Sequence, residues 1–305
     1  MISIVITVYN ESGNIAQLMK DILNSTHLPK EIVIVDGGST DNTVERLHDF
    51  QKECQRKNVK LRVEMKPGVN IAQGRNIAIS MVENEVIAVT DAGCRLEPDW
   101  LYRITLPILE DRADMVGGFY IPVAHTRFQR VLSEITVAPS PPSGFLPSSR
   151  SIAFTKTLWE KVGGYPEWLM WGEDTLFDQY CLKAGARYVI EPSAKVLWEL
   201  RSDCKQAIKQ FYCYALGDGQ ALRLAKSHVI VQVVYWGSIG LILMGYILHA
   251  FALMIFFHFG MLVKRRGFAI ENMMRACLLL AGIQTARFYG YTRGVIWRVT
   301  NRKRT

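Results

Sequence analysis

Short apolar runs alternate with helical spacings through the first 120 residues. Ile2–Val8 is a β-branched run ending in a polar loop, Tyr9-Asn10-Glu11-Ser12-Gly13-Asn14. Ile15, Leu18, Met19, Ile22 and Leu23 follow at helical spacing. Residues 31–35 predict a second, buried strand that stops in Asp36-Gly37-Gly38-Ser39-Thr40-Asp41-Asn42-Thr43, with a helix from Val44. A third strand is Lys60–Met65, a helix covers 75–83, and a fourth strand at 86–90 runs into Asp91-Ala92-Gly93-Cys94. Strands separated by helices of about 10–15 residues predict βαβ units and a parallel sheet. Ligands bind such sheets outside the carboxyl ends of the strands. Three of these strands end there in acidic, polar loops.

Farther on the pattern weakens. Residues 136–151 form a Pro/Ser-rich loop, a linker or a cover over a site. Helices are predicted at 156–162 and from Asp174 to Lys183. Residues 203–227 are amphipathic and basic, with an expected break at Gly217-Asp218-Gly219. Residues 229–263 then run without one Asp, Glu, Lys or Arg.

Charge divides the 305 residues the same way. Residues 1–199 hold 21 Lys/Arg against 25 Asp/Glu, whereas residues 200–305 hold 15 against 3. A basic segment beside a long uncharged run points to a membrane more than to nucleic acid. The apolar share of 49% excludes global disorder. The six cysteines form no CxxC pair, which suits reduced thiols better than a disulfide or zinc module. Met1 leads straight into a strand-like run rather than a secretory leader. The six histidines show no metal-binding spacing.

Candidate chemistry sits at the strand ends. Asp36 precedes two glycines that let a ligand approach the backbone, and its carboxylate can accept from a base N–H or a ribose hydroxyl. A plain turn with a helix N-cap is the alternative there. Asp91 repeats the logic. Glu173 and Asp174 open a helix, where acids suit the dipole or provide a general base. Arg75 and Arg150 are candidates for phosphate charge.

Taken together, these segments resemble the family 2 glycosyltransferases. The matching stretches are Ile4-Val5-Ile6-Thr7-Val8-Tyr9-Asn10-Glu11, residues 33–43, Gly74-Arg75-Asn76, Thr90-Asp91-Ala92-Gly93, Gly163-Gly164-Tyr165-Pro166-Glu167 and Gly172-Glu173-Asp174. The resemblance implies a GT-A-type, Rossmann-like, mostly parallel α/β sheet flanked by helices. It implies an inverting, membrane-attached, non-processive hexosyltransferase using a nucleotide sugar, most often UDP-linked. Tyr9, Glu11, Asp36 and Arg75 would bind the nucleotide. Asp91 would meet the ribose and a divalent cation, Mg or Mn. Asp174 would be the catalytic base, with Glu173 beside it. Arg150 and Gln210 would contact substrate or phosphate. Three departures stand out: Gly93 replaces the second acid of the DxD motif, Trp198 stands near the place of a late histidine, and only Gln210 survives of a Gln-x-x-Arg-Trp segment.

The chain then divides into a catalytic domain at 1–202, amphipathic interfacial helices at 203–228, a transmembrane hairpin or re-entrant segment at 229–263 and a basic interfacial tail at 264–305. A turn near residues 245–250 would keep Arg223, Lys226 and Lys264-Arg265-Arg266 on the cytoplasmic side, with the catalytic domain. A weak return span at 273–283 is the other option. Phe288, Tyr289, Tyr291 and Trp297, interleaved with Arg287, Arg293 and Arg298, suit an aromatic belt over anionic lipid. The expected partners are the donor, a lipid-linked or envelope-glycan acceptor and membrane lipids, without nucleic acid; a homo-oligomer is open. Two other readings stay open: a transferase for a soluble acceptor, and a non-catalytic nucleotide-sugar-binding subunit.

Overall fold

Strand pleating splits the first apolar run between two cores. The elements of the computed structural model are, in chain order, β1 (Ile2–Val8), α1 (Ile15–Leu23), β2 (Glu31–Asp36), α2 (Thr43–Asp49), α3 (Gln51–Arg56), β3 (Lys60–Met65), α4 (Ile71–Ser80), β4 (Val86–Val89), β5 (Cys94–Leu96) and α5 (Trp100–Leu109). There follow β6 (Met115–Val123), α6 (Arg127–Thr136), β7 (Ile152–Thr155), α7 (Lys156–Val162), α8 (Glu173–Lys183), β8 (Tyr188–Glu199), α9 (Cys204–Gln220), α10 (Lys226–Leu243), α11 (Ile247–Val263) and α12 (Ile270–Thr300). The structure describes all residues except 143, 224–225, 264–269 and 302–305, with the backbone alone at 262–263 and 270–274.

Two units form: Met1–Pro122 with Pro139–Glu199, and Val123–Ala138 with Leu200–Thr305. In the first, an eight-stranded sheet has the order β3-β2-β1-β4-β7-β6-β8-β5. Ile4, Ile6, Ile32 and Ile34 face a core shared with Leu18 and Trp100, and Val5, Val33, Val35 and Val89 face one shared with Ala78 and Phe177. Every residue of β2 is buried, as expected of a parallel strand covered on both faces.

The sheet is mixed, which corrects the mostly parallel expectation. β1 is parallel to β2 and β4, and β2 to β3. β7, however, is antiparallel to β4 and β6, and β5 to β8. The added strands carry Gly117, Gly118 and Pro122 in β6 and Pro192 in β8, residues that obscure a strand pattern. The helix expected from 75 begins at Ile71, capped by a reciprocal Asn70–Gln73 pair. Gly74 lies inside its first turn, because a Cβ there would come within 3.1 Å of the Thr7 methyl on β1.

The second unit is helical. α9 runs unbroken through Gly217-Asp218-Gly219, contrary to the break expected there. The glycines face a partner: a Cβ on Gly219, Gly290 or Gly294 would lie within 2.5 Å of a backbone oxygen across the α9–α12 contact. Small residues let two helix backbones close to this distance. The uncharged run forms α10 and α11, joined at Gly245 with φ 86°. Among the described residues, one helix, Lys226–Leu243, is long and apolar enough to cross a membrane. The supposed tail is the 31-residue α12, which contains the supposed return span. Phe288 and Tyr291 are buried, stacked on Tyr235 and His228, so the aromatic belt is half a packed seam. Tyr289 is exposed. His258 is a packed histidine whose Nδ1 lies 2.7 Å from the Met254 carbonyl. The Lys264-Arg265-Arg266 cluster and Arg302 to Arg304 lie outside the described residues.

Candidate active site

The carboxyl ends of β1, β2 and β4 share one sheet edge, with Val8 opposite Asp36 and Val5 opposite Val89. The loops after β1 and β2 are stitched together there. Asn10, left-handed at φ 54°, donates its N–H to Ser39 Oγ, and its side-chain oxygen accepts from the Thr40 N–H, both at 2.8 Å. The Glu11 N–H donates to Thr43 Oγ1 at 2.8 Å, and the Ser12 N–H to Asp41 Oδ2 at 3.1 Å. Hydrogen bonds from Thr43, then from Ser12, hold Asp41 down to about 2.

Asp36 is fully buried. Its Oδ1 accepts the N–H groups of Gly38 and Ser39 at 2.8 Å, and its Oδ2 accepts the Ser39 hydroxyl. The carboxylate shapes the turn that follows β2. Tyr9 is 61% exposed. The half-buried Glu11 accepts from Asn14 Nδ2 at 2.8 Å.

Arg75, expected at the nucleotide, lies between two carboxylates. It is 2% exposed, and its guanidinium bridges two acids: Nη1 donates to Glu173 Oε1 at 2.6 Å and Nη2 to Asp91 Oδ1 at 2.9 Å. The ring centroid of Tyr165 lies 5.4 Å away. The planar fork suits this double duty. In this arrangement Arg75 joins the acid after β4 to the start of α8.

The two acids of α8 diverge. Glu173 is buried against Arg75; burial and the neighbouring Asp174 push it up to about 7, while Arg75 pulls the other way. Asp174 is half-buried, with its Oδ1 accepting from the Thr175 N–H at 2.7 Å and its Oδ2 from the Ser149 N–H at 3.4 Å. Of the pair, Asp174 is the carboxylate a substrate can reach. Removing Arg75 would leave a buried charge unpaired, the costly way to break such a bridge.

Arg150 lies in the turn that leads into β7. Its guanidinium lies 4.3 Å from the Trp198 ring centroid and 5.7 Å from that of Tyr120. Its Nη1 donates to Ser148 Oγ at 3.0 Å. The β5–β8 pairing sets Trp198 opposite Cys94, whose N–H donates to the Asp91 carbonyl. Burial pushes the Cys94 thiol up to about 12, with Asp91 and Glu11 adding to the push and Arg150 opposing it. Gln210 belongs to the helical unit, where its amide donates to the Tyr214 hydroxyl one turn along α9.

Three residues given no role from sequence fasten this edge. The Asn76 oxygen accepts from the Tyr165 N–H at 2.8 Å and from Trp159 Nε1 at 3.1 Å, and its Nδ2 donates to the Tyr165 carbonyl at 2.8 Å. Gly164, at φ 79°, admits this contact: a Cβ would stand 2.7 Å from the Asn76 oxygen. Tyr165 stacks on Phe177 and shares a hydrogen bond with Ser149 at 3.2 Å. A Gly-Gly-aromatic turn following an Arg-Asn pair was the available signal.

Asp91 is the residue here that could give a divalent cation a protein oxygen. Among the described residues, no three His, Cys, Asp or Glu side chains converge as ligands. Asp91 is one carboxylate with an oxygen already on Arg75, and position 93 offers glycine. Such a donor set is too small for an all-protein site, and it fits a cation that would be held by one carboxylate together with a donor's phosphates.

A family model described as "Glycosyl transferase family 2" matches residues 3–191. Glycosyltransferase GlyG of Streptococcus pneumoniae is 32% identical over 120 residues, 39% of each chain. Glycosyltransferase AglE of Haloferax volcanii is 29% identical over 196 residues, 60% of this chain and 62% of that one. The chain therefore aligns with less than two thirds of the length of these relatives. Among solved structures, a mannosyltransferase from Pyrobaculum calidifontis, in complex with GDP-Man and Mn2+, aligns with TM-score 0.57 and 15% identity, covering 100% of this chain and 75% of that one. S. aureus TarS 1–349 in complex with UDP aligns with TM-score 0.54 and 16% identity, covering 98% and 91%. These likenesses show a GT-A-like fold. With strand-end acids, a paired arginine and an acidic helix start assembled on that fold, and the family model matching well over half its length, the chain belongs to glycosyl transferase family 2.

Proposed function

We propose that the protein is an inverting hexosyltransferase that moves one sugar per encounter from a nucleotide-sugar donor, UDP-linked by preference, to a lipid-linked or envelope-glycan acceptor at the cytoplasmic membrane face. The observation that carries the reading is the bridge from Asp91 through Arg75 to Glu173, which fixes a reachable Asp174 beside the strand-end loops. Tyr9, Glu11 and the loop shaped by Asp36 hold base and ribose, with Asp91 completing the ribose contact. The acceptor hydroxyl gives its proton to Asp174 while its oxygen bonds to the anomeric carbon from the face opposite the diphosphate. The bond from that carbon to the diphosphate oxygen breaks, and its electron pair leaves with the nucleoside diphosphate.

Membrane attachment rests on α10 and α11, where Trp236, Leu243, Leu248, Phe251 and Phe256 are exposed. A bilayer accounts for so large an apolar surface, and a lipid-linked acceptor would lie in the same plane. Gly93 also suits a second reading, a non-catalytic nucleotide-sugar-binding subunit.

Product release from a panel of UDP- and GDP-sugars, with a lipid extract as acceptor, separates the two. Asp174→Asn should lose at least about 100-fold in turnover while UDP affinity is retained, since a general base contributes roughly that much. A wild-type protein that binds UDP and turns over no donor with any acceptor supports the subunit. Long homopolymer products would overturn the non-processive part.

A further inference from the structure

We propose that Trp171 is the face on which the acceptor stacks, and that the acceptor ends in a sugar ring whose hydroxyl is glycosylated, not in a lipid phosphate. The inference rests on the nucleotide-sugar reading above and names the substrate class of that same site.

The segment between α7 and α8 is tied down along its length. Tyr165 is buried and held by Asn76. The Glu167 carbonyl accepts from Asn70 Nδ2 at 2.7 Å, and its Oε1 accepts from Asn76 Nδ2 at 3.0 Å. Leu169 is fully buried, and its N–H donates to the Pro166 carbonyl at 3.1 Å. Glu173 is fastened to Arg75 at 2.6 Å. Between these ties Met170 is 57% exposed and Trp171 38%. The chain is thus fixed on both sides of an indole that the fold leaves open. Gly172, at φ 75°, turns the chain into α8, and its carbonyl already accepts from the Leu176 N–H at 3.1 Å. Trp171 stands three residues before Asp174, so their Cα atoms are at most about 11 Å apart. An acceptor whose hydroxyl meets Asp174 lies within reach of the indole.

Two properties of this wall select the acceptor. The first is charge. Residues 162–182 hold Glu167, Glu173, Asp174 and Asp178 and no Lys or Arg. The neighbouring Arg75 is buried and engaged with Asp91 and Glu173. A phosphate monoester brought to Asp174 would meet like charge, and its ionised oxygen has no use for a base. A sugar hydroxyl is neutral. It keeps its proton until Asp174 takes it, as the oxygen bonds to the anomeric carbon and the diphosphate oxygen leaves with the electron pair. The second property is shape. A pyranose presents a C–H face that packs flat on an aromatic ring, with its hydroxyls left free at the edge. An indole offers that surface at little cost in side-chain freedom.

The test uses the full chain in detergent, with UDP- and GDP-sugars labelled in the sugar. Octyl pyranosides, decaprenyl phosphate and a membrane lipid extract serve as acceptors. Mild acid cleaves the lipid products at sugar–phosphate bonds and spares glycosidic ones. The label should be released as a disaccharide or longer. Label released as a monosaccharide marks transfer to a lipid phosphate and overturns the proposal. Trp171→Ala should raise the acceptor KM about tenfold, with melting temperature and UDP affinity as in the wild type. Trp171→Tyr, which keeps an aromatic face, should recover most of that loss. Trp171→Gln takes the place of Trp171→Ala if the latter does not fold. A Trp171→Ala protein of native melting temperature and unchanged acceptor KM overturns the proposal. If that protein also ceases to sediment with anionic lipid vesicles, the indole belongs to the bilayer instead. A wild type that releases no nucleotide from any donor with any acceptor overturns the transfer reading itself, and this inference with it.

Discussion

Four acids at one sheet edge come to different ends. Asp36 is enclosed by its own turn, Asp91 and Glu173 are bridged by Arg75, and Asp174 is left reachable. Residue type and strand-end placement were legible in the sequence, but burial and pairing were not. Arg75 and Glu173 are 98 residues apart, and no local spacing announces that they meet. A raised carboxyl favours the protonated folded state, so between the ordinary glutamate range and about 7 the Glu173 site binds more protons folded than unfolded. Folding stability should therefore drop as pH rises through that window, the reverse of a salt-bridged acid with a depressed pKa. Thermal melts from pH 5 to 8 check this; Glu173→Gln should flatten that part of the profile, and an unchanged slope removes Glu173 as its source. Asn76→Ala strands the Tyr165 N–H and Trp159 Nε1 and should cost about 1–3 kcal/mol in urea unfolding. It should also lower turnover, since the same contacts hold the turn that carries Tyr165 beneath Arg75.

The early elements read well because their cues are local. β1, β2 and β3 are strongly apolar or alternating runs, and punctuation by Gly and Asp marks where they stop. β6 and β8 carry glycine and proline within the strand, so sheet pairing overrides local preference there. The glycines of α9 were equally misleading: their sequence signature is that of a break, yet they serve a helix crossing visible only once α12 is folded against it. Gly294→Ala should place a methyl about 2 Å from the Leu216 oxygen and cost about 1–3 kcal/mol or more. Circular dichroism melts of the full chain measure it, with Gly237→Ala, which has open space around its Cβ, as the neutral control.

Charge asymmetry at the scale of the whole chain separated a catalytic part from a basic, apolar one, and the exposed faces of α10 and α11 give the second part its chemistry. Expressed in cells, the protein should sediment with membranes and resist a carbonate wash. Replacing Phe251 and Phe256 with Asp should release it, since a charge in apolar lipid costs about 2.5–3.5 kcal/mol per residue. Wild-type protein recovered wholly in the soluble fraction would sink the membrane reading. The boundary near residue 200 was legible in outline, but the excursion at 123–138 was not, because a ten-residue amphipathic helix carries no mark of which core it joins. That excursion sets an order of events during synthesis. α6 leaves the ribosome in the midst of the sheet strands, yet its partner α12 is the last helix to be made. Val131, Leu132 and Ile135, buried in the finished protein, wait uncovered through more than a hundred residues of translation. A chain released early near residue 202 would carry the whole strand-end acid cluster and still present an apolar stripe to chaperones, proteases and other copies of itself.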